Sequence, residues 1–215
     1  MNIFVSSYSP EESAKALPDL LCQRMCLEAY EVLNAVHWNM RLKPGQHTPE
    51  RDEVPDGPHL PPYRRSLSQR MHPVCRWAGL DRANYVWTLR HAKALAKEHK
   101  RRYGNSYPMP YIDCHNWVKI RTHKVPTRFR KEAVRASRLH YYGAFNDRWV
   151  LEYFGSNVVM QYRLQLLAKW LHDYKRRHTW HDGPPDWAHD DKLLRLVRKH
   201  RGKPTTATAK ELGLL

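Results

Sequence analysis

Glu28 stands in an apolar helical stretch, three residues after Met25 and four before Val32. A carboxylate on the apolar side of a helix costs free energy unless it is paired or used. In use, such a carboxylate would suit general acid–base work. An ion pair with Arg24, one turn back, is the structural alternative.

A second group follows the pattern His72-Pro73-Val-Cys-Arg76-Trp77-Ala78, then Asn84-Tyr85-Val-Trp87, then Arg102-Tyr103-Gly104. A helix that only has to pack uses Leu, Ala and Val. Here Asn84, Tyr85, Trp87 and Arg102 bring polar atoms to or beside the buried face, and such atoms need partners. A ligand is one candidate. Filling the space between helices is the other reading for Trp77, Tyr85 and Trp87.

Several common chemistries have no support. The chain has no phosphate-cradling glycine loop, no serine nucleophile elbow and no His-Glu-x-x-His helix. Cys22, Cys26, Cys75 and Cys114 include no Cys-x-x-Cys pair, and Cys22 and Cys26 lie one helical turn apart in an apolar pattern. Buried reduced thiols fit better than a zinc site with His72 and His115. No metal or cofactor is expected.

The charge points to a polyanion. The chain has 37 Lys+Arg against 21 Asp+Glu, a formal charge of +16 and a pI near 9.9. Such an excess attracts nucleic acid through counterion release and long-range steering. It is concentrated: Lys119 to Arg138 carries Lys119, Arg121, Lys124, Arg128, Arg130, Lys131, Arg135 and Arg138 against Glu132. The C-terminal third adds Lys175-Arg176-Arg177, Arg195, Arg198, Lys199, Arg201 and Lys203. A solvated basic surface or an anionic-membrane patch is the alternative. No apolar run approaches the roughly 18 residues that span a bilayer, and the start lacks a basic-then-apolar signal. A soluble, intracellular protein without membrane contact is expected.

The elements that must position these residues read as mainly α, a single helical domain with a short N-terminal extended arm and long irregular loops. Residues 2–6 are β-favouring and form a strand or an arm. From Pro18 a helix runs to about His37. Residues 41–71 hold six prolines and exclude regular structure, forming a long loop and a candidate flap. Asp81 caps a long helix to Tyr103, stopped by Gly104. After an irregular stretch 105–126, helices are expected over 128–142, 158–177 and 187–200. The domain then covers 1–201, with 202–215 a flexible tail.

The opening Met-Asn-Ile-Phe-Val, Arg24-Met-Cys-Leu-Glu28 with Leu33 and His37, His72-Pro73, Trp77, Asn84-Tyr85, Trp87, Glu98 and Arg102-Tyr103-Gly104 resemble a widespread group of small phage proteins. The resemblance covers about residues 1–105, and most of that group carries no established activity. The group in turn is distantly similar to the phage pyrimidine-dimer DNA glycosylase/lyase. The shared features are an extended arm, a helix bearing a glutamate, a long second helix and an aromatic C-terminal end, here Tyr141-Tyr142 and Pro185-Asp186-Trp187. On this alignment 143–180 is an insertion.

That resemblance implies a glycosylase-like scaffold in which an N-terminal amine attacks the sugar C1′ and Glu28 stabilises charge and relays protons. The family exposes a small second residue after Met removal, whereas Asn2 is expected to keep Met1. A second implied activity is amino acid:DNA transfer, as in thymine hypermodification. There an amine replaces the phosphate of 5-phosphomethyl-uracil. Glu28, His37 and His72 are the catalytic candidates, and Arg24, Arg76, Arg82, Arg102, Lys124, Arg128 and Arg130 the contacts to duplex DNA. Asn84, Tyr85, Trp87 and Tyr103 would form the pocket for an extruded base. The implied setting is the cytoplasm of a phage-infected bacterium, with an amino acid or amine as co-substrate. A non-catalytic DNA- or RNA-binding phage protein is the alternative.

Overall fold

The computed structural model describes residues 3–41, 72–104, 148–204 and 206–214, and no strand occurs among them. The mainly helical expectation holds. The loop 41–71, the segments 105–126 and 128–142, and Tyr141-Tyr142 lie essentially outside the described residues. So do Lys124, Arg128, Arg130, Cys114, His115 and the basic run from Lys119 to Arg138.

Residues Ile3–Val5 are a buried N-terminal arm without regular secondary structure. A short helix that the sequence reading did not anticipate follows, α1 (Pro10–Lys15), with Pro10 in its first turn. Ser9 caps it by accepting the Glu12 N–H at 3.2 Å. Helix α2 (Asp19–Arg41) is the axis of the fold, and every residue from Ala29 to Val36 is buried. A helix enclosed all round sits in the middle of a core.

Helix α3 (Pro73–Ala78) and helix α4 (Arg82–Tyr103) pack against α2. Asp81 accepts the Asn84 N–H at 2.8 Å, and Gly104 ends α4 at φ 71°. A residue with a Cβ is strained at that φ, so glycine makes a sharp stop. Helix α4 also carries α1: Trp87 Nε1 donates to the Tyr8 carbonyl at 3.1 Å, and His91 Nδ1 meets the Pro10 carbonyl at 3.0 Å.

The C-terminal part supplies the other half of the core. A 3₁₀ turn (Arg148–Glu152) leads to α5 (Val158–His172), which buries Tyr162, Leu164, Leu166, Leu167, Trp170 and Leu171. Trp170 of this stretch is among the largest fully buried side chains, so residues 148–180 contribute to the core. Helix α5 ends at His172, short of the expected Arg177. The chain then returns to the start of α2, where the Asp19 N–H donates to the Thr179 carbonyl at 2.8 Å. A 3₁₀ turn (Asp186–His189) precedes α6 (Asp191–Arg201), whose Leu193, Leu194 and Val197 pack on α5.

The expected flexible tail is corrected over its described part. Helix α7 (Ala207–Glu211) packs on α5, with Thr208, Ala209 and Leu212 buried. Thr206 caps it and donates its hydroxyl to the Leu171 carbonyl at 2.9 Å. A buried cap and three buried side chains supply the contacts that a free tail lacks.

Candidate functional site

Helices α2, α3 and α5 bring three ionisable side chains into one neighbourhood. Glu28 projects half-buried from the middle of α2. His72 is the N-cap of α3, and its Nδ1 accepts the Val74 N–H at 3.3 Å. That bond requires an unprotonated Nδ1, so the neutral ring carries its proton on Nε2. Burial holds His72 below the ordinary imidazole range, the positive amino terminus adds to this, and Glu28 opposes it.

Lys169 of α5 is the third member, and the sequence reading missed it. It is half-buried, and its ammonium lies 5.5 Å above the Phe4 ring of the N-terminal arm. Burial pushes its pKa down, and the carboxylate of Glu28 is the largest opposing influence. One carboxylate thus acts on both a neutral imidazole and an amine whose charged form is disfavoured. A carboxylate, an imidazole and an amine are groups that general acid–base chemistry uses. In the sequence only the apolar face of this helix, Met160, Leu164, Leu167, Ala168 and Leu171, carries a signal.

Arg24 is exposed, and no ion pair joins it to Glu28 among the described residues. Glu31, one turn on, is a second buried carboxylate at 1 % exposure and was also missed. Its signal was its place inside the run from Ala29 to Val36.

His37 and Tyr85 tie α2 to α4: His37 Nε2 lies 2.8 Å from the Tyr85 hydroxyl, with the rings edge-on at 5.7 Å. Burial raises the Tyr85 phenol well above its ordinary range, so the group stays protonated. The pair lies on the α2–α4 contact.

Three of the expected ligand contacts have structural employment instead. Trp87 is 6 % exposed, stacks on His91 at 4.7 Å and meets Trp77 edge-on at 6.1 Å. Its indole N–H is bound to the Tyr8 carbonyl. Asn84 is buried and donates Nδ2 to the Trp77 carbonyl at 2.9 Å, joining α4 to α3. Arg102, expected to contact DNA, has a side chain only 2 % exposed, because the last turn of α4 packs on the corner between α1 and α2. Its Nε donates to Glu98 at 2.7 Å, its Nη1 to Asp19 at 2.9 Å and the Leu17 carbonyl at 2.8 Å, and its Nη2 to the Lys15 carbonyl at 2.9 Å.

Tyr103 is 37 % exposed and leans on His99 at 5.0 Å; burial first pushes its phenol up to about 12. Arg76 is exposed and Arg82 partly so. Cys22, Cys26 and Cys75 are buried. No group of three or more His, Cys, Asp or Glu side chains able to hold a metal occurs among the described residues. None of the described helices is long and apolar enough to cross a membrane.

No protein-family model, curated protein or solved structure matches this chain.

Proposed function

We propose that this protein is a phage-type DNA-modifying enzyme that acts on a pyrimidine or modified thymine base, by base excision or by group transfer to 5-phosphomethyl-uracil. The observation that supports the reading is Glu28, half-buried in the middle of α2, with His72 capping α3 and the half-buried Lys169 of α5 both sensitive to its charge. The net charge of +16 supplies the attraction to the polyanionic substrate.

In excision an amine attacks the sugar C1′, the N-glycosidic bond breaks and the base leaves with a proton. Glu28 stabilises the positive charge at C1′ and relays that proton. In transfer an incoming amine attacks the methylene carbon, the carbon–oxygen bond breaks and phosphate leaves. Glu28 then takes the amine proton, while Lys169 and the Nε2–H of His72 face the leaving group. Neither route calls on a metal or cofactor.

A non-catalytic nucleic-acid-binding protein is the second reading. It is favoured by the structural employment of Asn84, Trp87 and Arg102, three residues expected to meet the substrate.

Mass spectrometry of nucleosides separates all three. DNA carrying 5-hydroxymethyl- or 5-phosphomethyl-uracil is incubated with the protein, with and without an amino-acid mixture, and digested. A lost base means excision and a new nucleoside mass means transfer. Unchanged nucleosides on every pyrimidine-modified substrate, with DNA still bound, leave the binding-protein reading.

A further inference from the structure

Helix α6 turns one face to the core and a cationic face outward. Leu193, Leu194 and Val197 are buried, while Lys192, Arg195, Arg198, Lys199 and Arg201 are exposed. Lys192, Arg195 and Lys199 follow i, i+3, i+7 spacing and share a side of the helix. None of the three forms a salt bridge among the described residues.

Aromatic residues from the turn before α5 lie beneath these cations. Lys192 Nζ stands 5.0 Å above the Phe154 ring. Lys199 Nζ lies 3.3 Å from the Tyr153 hydroxyl and 5.9 Å from its ring centre. The same hydroxyl meets His200 Nε2 at 2.8 Å, and His200 stacks on Trp149 at 4.3 Å with planes 10° apart. The turn itself is held. Phe154 has φ 66° and Gly155 φ 51°, and the buried Gln161 donates Nε2 to the Tyr153 carbonyl at 3.2 Å and the Gly155 carbonyl at 2.8 Å. A left-handed Phe persists only where its surroundings enforce it. Here it places a ring under Lys192.

We infer that the outer face of α6, with Tyr153 and Phe154 beneath its lysines, is a docking surface for the phosphodiester backbone of nucleic acid. The partner class rests on the nucleic-acid reading above; the surface rests on its own geometry. Charge spacing fits this partner. From Lys192 to Lys199 the helix rises about 10 Å, and one strand of a duplex carries a charge about every 3.4 Å of axis. Three cations thus face about three phosphates. The rings hold the ammonium groups in place, which lessens the ordering cost of binding. An anionic membrane fits less well: a surface-lying helix buries its apolar face in lipid, and the apolar face of α6 is already covered by α5. Contacts of this kind position the backbone and read no sequence.

The test is fluorescence anisotropy with a labelled duplex oligonucleotide across a salt series, comparing the full chain with K192Q/R195Q/K199Q. These side chains are exposed, so the helical circular dichroism and Tm stay as in the parent. The log–log salt slope should fall by about two to three units, equally for unrelated sequences. Arg195→Gln alone should lower it by about one, which serves if the triple variant fails to fold. A parent-like slope in the folded triple variant overturns the inference while leaving the DNA-modifying reading intact. A parent chain that binds no duplex at low salt removes both. If the triple variant loses binding only to phosphatidylserine vesicles and keeps its duplex slope, the surface belongs to a membrane and the inference falls.

Discussion

Arg102 and Asp19 meet at 2.9 Å across 83 positions of sequence, with the Arg102 side chain 2 % exposed. The same guanidinium binds Glu98 at 2.7 Å, and Asp19 also accepts the His181 N–H at 3.2 Å. One cluster thus fastens the end of α4 to the start of α2 and to the strand of chain returning from α5. Burial raises the Glu98 carboxyl, but the Arg101 and Arg102 hydrogen bonds outweigh it and hold the group below its ordinary range.

Arg102→Met should therefore destabilise the protein by about 3–5 kcal/mol, because it leaves the Glu98 charge buried without this partner. Urea unfolding reads that loss. Duplex affinity of the folded fraction should stay within about two-fold of the parent, in contrast to a phosphate-contacting arginine.

Acid should weaken the fold through His91. Burial pushes its pKa down to about 4, against an unfolded value near 6.5, despite the opposing bond to the Pro10 carbonyl. Above pH 6.5 both states are neutral and the contribution is complete. As pH falls from 6.5 to 4 the unfolded chain binds a proton that the native ring refuses, and about 3 kcal/mol is lost. His72, His99, His172 and His178 shift in the same direction and steepen the trend. Tm measured from pH 7 to 4 should drop, and His91→Gln should flatten part of the slope.

The fold was legible where its signals are local. Asp81 and Gly104 mark the ends of α4 through a cap bond and a positive φ, both of which depend on a single residue type. The Ser9-Pro10-Glu11-Glu12 start of α1 carries the same kind of signal, in a segment too short for apolar periodicity to reveal. The site was harder. Glu28 stands out because a carboxylate in an apolar pattern is rare, but Lys169 becomes notable only when α5 brings it over the Phe4 ring. Arg102 reads as a surface cation in a basic sequence, since its partners Asp19, Leu17 and Lys15 lie more than 80 positions away.

The Cys22 thiol should be inert in the native state. Burial first raises its pKa to about 11, so little thiolate exists at pH 8, and the side chain is enclosed. Iodoacetamide labelling read by peptide mass spectrometry should modify Cys22 only after denaturation. Rapid native labelling would show that the corner between α1 and α4 opens.

Thr206→Val keeps the shape of the side chain but removes both the cap of α7 and the donor to the Leu171 carbonyl. A loss of about 1–2 kcal/mol follows from the missing cap. Protease cleavage after Lys210 should become faster as α7 detaches, and thermal unfolding gives the stability change.

Glu28→Gln tests the central claim most directly. The substitution removes the carboxylate at nearly constant volume, so fold and duplex affinity should persist. Turnover, read as base loss or new nucleoside mass on pyrimidine-modified DNA, should fall by about two to four orders of magnitude. Blocking the amino terminus in the parent then separates the routes: an excision enzyme that uses this amine loses its borohydride-trapped DNA adduct, and a transferase using an external amine does not. Full activity of Glu28→Gln on every substrate that the parent modifies, or a variant that only unfolds, would contradict the catalytic assignment and leave Glu28 a structural carboxylate.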